Sequence, residues 1–149
     1  MEILVREIEE SDYSAVLRLW NDVLGNRNFT ASNIGWHHDR FKGNDQYKAF
    51  VAEFEGDVVG IVYIMQYAPW AVDGEQFWIQ GIAVRDDMQG KGIGTKLLEY
   101  IEKYGRDRGV DYITLNTGFK RTAAHAFYEG NGYSSGNYCF GKDIRDAKA

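Results

Sequence analysis

With 149 residues, 44% of them hydrophobic and 26% charged, the chain has the size and composition of one ordinary globular domain. A net charge of −5 argues against a nucleic-acid groove, which needs dense lysine and arginine, and mildly favours a cationic ligand. No apolar run is long enough to span a membrane, no signal peptide is expected, and the lone Cys139 cannot form an internal disulfide, so a reducing cytoplasm is the expected location.

Residues 3–8 alternate apolar with polar and read as a strand. Ser11 suits an N-cap, and Tyr13, Val16, Leu17, Trp20, Val23 and Leu24 recur at helical spacing until Gly25. Residues 26–46 are mixed and polar, and a loop with one short helix is expected there. Residues 47–55 and 58–68 read as strands turning through Gly56 and Asp57, and Pro69, the only proline, closes the second. Residues 76–84 form the next strand. Helical periodicity returns with Leu97, Leu98, Ile101 and Tyr104 and stops near Gly105 or Gly109. Residues 110–116 are a short apolar strand, and Ala123, Ala124, Phe127 and Tyr128 share a helical face. Residues 133–144 are expected as a hairpin or long strand that holds Cys139 as a small buried or half-buried hydrophobe. The order β-α-α-β-β-β-α-β-α-β is α+β, and the helix between residues 76–84 and 110–116 makes those two strands parallel. A single domain, residues 1–149, is expected.

The densest signal is Gln89-Gly90-Lys91-Gly92-Ile93-Gly94-Thr95, three glycines at alternate positions between an apolar strand and an amphipathic helix. Such a loop turns tightly and lets a ligand approach the amides without meeting a Cβ. The helix that follows points unpaired N–H groups and the positive end of its dipole into the loop, which suits a phosphate. The dinucleotide pattern G-x-G-x-x-G does not fit, because Thr95 stands where its third glycine belongs. A Walker loop does not fit either, because Lys91 is followed by Gly92. A plain glycine turn without a ligand is the bland alternative.

Gln89-x-x-Gly92-x-Gly94, preceded by Gly81-Ile82-Ala83-Val84, resembles the acetyl-CoA loop of the GNAT superfamily of N-acetyltransferases. A second segment, Arg121-Thr122-Ala123-Ala124-His125-Ala126-Phe127-Tyr128-Glu129-Gly130-Asn131-Gly132-Tyr133, resembles that superfamily's C-terminal motif, in which A-x-x-F-Y precedes a glycine–aromatic pair. The resemblance is strong over residues 77–133 and implies a small, bacterial-type, single-domain member. It implies a three-layer α/β/α fold with a mixed, mostly antiparallel central sheet whose parallel pair splays around the acetyl-CoA site.

The resemblance further implies acetyl-CoA as co-substrate and direct transfer of its acetyl group to a primary amine of a small molecule in a ternary complex. The amides of Gln89, Gly90, Lys91, Gly92, Ile93, Gly94 and Thr95 would then hold the pyrophosphate. The backbone of Ile82, Ala83 and Val84 would hold the pantetheine arm, with one N–H beside the thioester oxygen. Asn116, Arg121 and Ala124 would complete the cofactor side, although Arg121 departs from an asparagine common in the family. Tyr128 matches the tyrosine near the CoA sulfur, and a phenol is a sensible acid for a leaving thiolate.

An aliphatic amine is mostly protonated at neutral pH, so some group must accept its proton. Many relatives carry a glutamate where this chain has Gln80, an amide able to orient a water but not to accept a proton. Asp73, Glu75, His37 and His38 are the alternative bases. Trp36, His37, Asp39, Trp70, Asp73 and Glu75 are the expected substrate contacts, aromatics to wall a cationic group and carboxylates to pair it. No metal is expected, since no further His or Cys cluster is present. Neither a nucleic-acid nor a membrane partner is expected, and a homodimer is among the expectations. A non-catalytic acetyl-CoA sensor, acetylation of a protein or peptide amine, and a dinucleotide oxidoreductase are the competing readings.

Overall fold

The computed structural model describes residues 1–145. The chain forms two compact units, residues 1–115 and the residues from Asn116 onward. The first unit is a five-stranded sheet in the order β1-β2-β3-β4-β5, comprising β1 (Leu4–Glu7), β2 (Tyr47–Phe54), β3 (Asp57–Tyr67), β4 (Glu75–Val84) and β5 (Val110–Leu115). Neighbours are antiparallel except β4 and β5, which the helical crossover makes parallel.

The β2–β3 hairpin turns on Glu55 and Gly56, with φ of 50° and 85°. Two positive φ values define the I′ turn that matches strand twist, which moves the turn one residue earlier than the sequence suggested. Across β3 and β4, Tyr63 pairs with Gly81 and Ile64 with Ile79, so Gln80 is an extra residue in a β-bulge. The β4–β5 register ends at Ile79 opposite Leu115, while β4 runs on to Val84. Among the described residues, 81–84 therefore pair with β3 on one side and with no strand on the other.

One face of the sheet carries a helical stretch that begins as a 3-10 turn (Glu10–Asp12), continues as α1 (Tyr13–Arg18) and widens into a π turn (Leu19–Val23). Helix α2 (Ile34–Asp39) lies with it, and Val16, Leu19 and Ile34 bury against Ala49, Val51, Ile61 and Ala83. Strand alternation turns Phe50, Val62 and Phe77 to the opposite face, where α3 (Ile93–Asp107) packs. Its apolar stripe of Ile93, Leu97, Leu98 and Ile101 is buried, and Tyr104 packs on Phe50 and Phe77. The start of the helical stretch is tied to β1 and β2 by Arg6. Its guanidinium donates to both Asp12 carboxylate oxygens at 2.8 and 2.9 Å and to Glu53 at 2.9 Å.

The second unit contains α4 (Thr122–Gly130). The strand expected at residues 133–144 does not form: from Tyr133 to Ile144 no residue adopts strand pairing. Alternation there is incomplete, interrupted by Ser134-Ser135-Gly136-Asn137, and glycine and polar residues favour irregular backbone. Cys139, expected at least half-buried, is exposed for the same reason, with its sulfur accepting from Asn116 Nδ2 at 3.1 Å.

Candidate active site

The bulge at Gln80 and the early end of β5 leave one edge of β4 open along Ile82, Ala83 and Val84. Backbone N–H and C=O groups on an open edge need partners, and an extended ligand can supply them. Directly beyond, the chain makes a 3-10 turn (Asp86–Met88) and enters the glycine loop. Gln89 closes this turn, its side-chain amide donating to the Val84 carbonyl at 3.0 Å. Its side chain is thus spent on the loop's shape, and Lys91 is exposed. Gly92, the N-cap of α3, has φ of 81°, the left-handed region that disfavours residues with a Cβ. A Cβ at Gly92 would meet no heavy atom within 4 Å, so the space above the loop is open. The first intrahelical N–H bond comes from Lys96 to Gly92 at 3.0 Å, leaving the amides of Ile93, Gly94 and Thr95 without intrahelical acceptors. Loop, helix terminus and strand edge together fit an extended ligand ending in phosphates.

A cavity of about 520 Å³ lies between the helical stretch, α2 and the sheet. Its walls include the aromatic rings of Tyr13, Trp20, Phe29 and Tyr63, with His37 and His38 from α2, Gln80 from the bulge, and charged side chains such as Glu7, Glu10 and Lys48. Trp20, carried by the π turn, lies over Gly81, where a Cβ would come within 2.5 Å of its ring. Glycine at 81 is a packing requirement of this wall. His38 stacks on Tyr13 at 4.5 Å and shares a 2.9 Å hydrogen bond between Nε2 and the Tyr63 hydroxyl. Burial, helped by His37 and opposed by Asp39, pushes the His38 imidazole below its ordinary pKa. Burial also pushes the Tyr63 phenol well above its usual value. With both groups neutral, the phenol can donate to Nε2 in the tautomer whose proton sits on Nδ1.

The other expected substrate contacts are dispersed. His37 lines the cavity, packing on Phe29 and Trp36. Trp36 is exposed beneath the Arg40 guanidinium, 4.8 Å from its ring centroid, and Asp39 is exposed at the end of α2. Trp70 and Asp73 are exposed in the β3–β4 connection and do not line the cavity. Glu75 accepts from Gln66 Nε2 at 2.9 Å, and Gln66 in turn accepts from Arg108 at 3.0 Å, which makes it part of a link between β3, β4 and the end of α3.

Asn116, Arg121, Ala124 and Tyr128 belong to the second unit. Arg121 precedes α4 and is exposed, while Ala124 and Tyr128 are half-buried on that helix. Burial raises the Tyr128 phenol pKa, an effect opposed by Arg121, so the hydroxyl keeps its proton at neutral pH. Among the described residues, no group of three His, Cys, Asp or Glu side chains is placed to hold a metal ion, and no helix is long and apolar enough to cross a membrane.

The model of the acetyltransferase (GNAT) family matches residues 5–133. The chain belongs to the GNAT acetyltransferase family. Over 146 residues it is 30% identical to the aminoalkylphosphonate N-acetyltransferase of Salmonella typhimurium, covering 94% of this chain and 90% of that one. The structure of glucosamine-6-phosphate N-acetyltransferase from Arabidopsis thaliana is 19% identical and superposes with a TM-score of 0.82, covering 97% of this chain and all of that one. AAC(6')-Iy, solved with the bisubstrate analogue CoA-S-monomethyl-acetylneamine, is 13% identical and superposes with a TM-score of 0.84 over 98% of this chain and all of that one.

As a GNAT acetyltransferase the chain is an acyltransferase, and the mixed sheet with its β4–β5 parallel pair is the family's fold. The family motifs legible in sequence fall on the end of β4, the glycine loop and α4. Tyr13, Trp20, Phe29 and Tyr63 were not anticipated as cavity walls. Tyr13 and Trp20 fall on an apolar helical face and Tyr63 on an alternating strand, patterns that signal core. The one sequence clue was Gly81 inside an otherwise bulky strand, which marks a close approach.

Proposed function

We infer that this chain transfers the acetyl group of acetyl-CoA to the primary amine of a small molecule, by direct attack in a ternary complex. The observation that carries this reading is the open β4 edge at Ile82, Ala83 and Val84, which runs straight into the Gly92 loop and the amides of Ile93, Gly94 and Thr95. In this reading the edge binds the pantetheine arm, the loop amides of residues 89–95 bind the pyrophosphate, and a β4 N–H steadies the developing oxyanion. Tyr128 keeps its proton for the leaving thiolate, and Asn116, Arg121 and Ala124 serve the cofactor side. The aromatic cavity, with Gln80 on its wall, receives the amine, its rings suiting a cationic or apolar body. A net charge of −5 favours approach of a cation. One domain over residues 1–149, with family similarity at residues 5–133, is the unit of function.

The test is a thiol-release assay with acetyl-CoA across aminoalkylphosphonates, amino sugars and their phosphates, aminoglycosides, polyamines, amino acids and peptides. The name of the Salmonella relative puts aminoalkylphosphonates first. Turnover of at least one small amine, with peptides left untouched, supports the reading. Tight acetyl-CoA binding with no thiol release across the panel would instead make the chain a sensor, a reading to which the amide at Gln80 lends its only support.

A further inference from the structure

A His–Tyr pair in the cavity is not used by the family motifs. His38 Nε2 and the Tyr63 hydroxyl are 2.9 Å apart, on elements that meet only through the fold. Tyr63 sits opposite Gly81, next to the bulge at Gln80, where the open edge of β4 begins. The pair therefore ends where the acyl group would lie when the pantetheine arm follows that edge. Resting on the acetyltransferase reading above, we propose that Tyr63 and His38 form a proton relay that takes the proton from the acceptor nitrogen as it attacks the thioester.

In the step, the lone pair of the neutral amine forms the N–C bond and the carbonyl π electrons move to oxygen. Bonding to the acyl carbon makes the nitrogen acidic. Its proton passes to the Tyr63 oxygen while the Tyr63 proton moves to His38 Nε2. The oxyanion then collapses, the C–S bond breaks with its electron pair on sulfur, and the thiolate takes the proton that the proposed function assigns to Tyr128, which solvent replaces. The imidazolium releases its own proton to solvent. The products are the amide and free CoA thiol, with no other reactant required.

Other groups are less suited to the task. Gln80 has no basic atom. Glu75 is held by Gln66, and Asp73 does not line the cavity. His37 packs on the Phe29 and Trp36 rings. The groups that share the cavity with the pair are Glu9 and Glu10 with Tyr13 before and on the helical stretch, Glu7 on β1, Lys42 in the connection after α2, and Tyr47 and Lys48 on β2. Glu7 and Lys48 are bound to each other at 3.1 Å. His37 and Asp39 flank His38 on α2, with opposite effects on its charge. Burial outweighs them, so the imidazole is free to accept at neutral pH.

The test compares wild type, Tyr63→Phe, His38→Gln and the double variant, using acetyl-CoA and the amine turned over fastest in the panel. Circular dichroism and acetyl-CoA affinity report on folding and on the cofactor side. The His38 imidazole is titrated by NMR in the free protein. The relay predicts that kcat falls about 100-fold or more in each single variant while acetyl-CoA affinity is kept. The wild-type pH profile should rise through the same pH at which His38 titrates, below its ordinary value, and both variants should lose that limb. The double variant should be no slower than the slower single one, since the two act as one unit.

A limb that persists in either folded variant, or losses that multiply in the double variant, would overturn the relay while wild-type turnover leaves the enzyme reading standing. No turnover by wild type across the whole panel would sink both. If His38→Gln fails to fold, Tyr63→Phe, which keeps its ring, decides the matter alone.

Discussion

One methyl group added at Gly81 tests whether Trp20 walls the acceptor cavity. A Cβ there would lie 2.5 Å from Cη2 and 3.2 Å from Cζ2 of Trp20, so the indole must retreat by about 1 Å to regain ordinary contact. It has little freedom to do so, being stacked on Phe29 and tilted against Tyr63, each with centroids 5.2 Å away. Forcing an extra carbon into such packing costs about 1–3 kcal/mol. The ring lines the cavity, so about 2 kcal/mol of that cost is expected in acceptor binding, which is roughly a 30-fold rise in the amine KM. The register of β4 on β3 needs no change, and acetyl-CoA affinity should shift by less than about threefold. Initial rates with each substrate varied in turn, together with a thermal melt, measure both quantities on Gly81→Ala. An unchanged amine KM with wild-type stability would refute the wall. An equal loss of acetyl-CoA affinity would mean that β4, not Trp20, had yielded.

Gly92→Val should weaken acetyl-CoA binding at least about tenfold by calorimetry while the domain stays folded, because the backbone strain is confined to a φ of 81° and an added Cβ meets no heavy atom within 4 Å. Asp12→Ala should lower stability by about 3 kcal/mol in urea unfolding, since it leaves the Arg6 guanidinium with only Glu53 as a carboxylate partner. Hydrogen bonds from Arg6 hold the Asp12 carboxyl below its ordinary pKa. Its stabilisation is therefore full above about pH 4, where the unfolded carboxyl is also ionised, and is lost as pH falls through the lower folded value. In the variant that segment of the stability–pH curve should flatten. Tyr128→Phe should cut the single-turnover rate roughly 100-fold or more with little change in acetyl-CoA affinity, and a wild-type rate would move the acid elsewhere.

The fold was largely legible because most of its segments obey simple periodicities. The apolar runs read as strands over 47–55 and 58–68 reappear as strands buried on both faces, and the helical stripe of Ile93, Leu97, Leu98 and Ile101 reappears as the buried face of α3. Two features were not legible for a shared reason. The bulge at Gln80 and the absence of a strand at residues 133–144 depend on how chains pair, and pairing is a property of two segments and not of one. The glycine loop was legible because its shape is set by backbone. Glycines that free amides leave a mark in sequence that side-chain burial does not.

The acceptor side works in the opposite way, and Gln80 shows why. With an amide at the bulge, the Gln80 side chain cannot take a proton, which under the proposed function directs attention to the other elements that line the cavity. Two adjacent histidines were visible on α2, but a helix turns about 100° per residue and sends neighbours in different directions. Nothing local distinguishes them. Packing does: His38 meets Tyr13 from one element and the Tyr63 hydroxyl from another, whereas His37 meets Phe29 and its own neighbour Trp36. Tyr63 is likewise an unremarkable strand residue until Gly81 opposite it and the Trp20 ring over that glycine are in place. Under the proposed relay, the acceptor side rests on side chains that only tertiary packing brings together, whereas the glycine loop is written in consecutive residues.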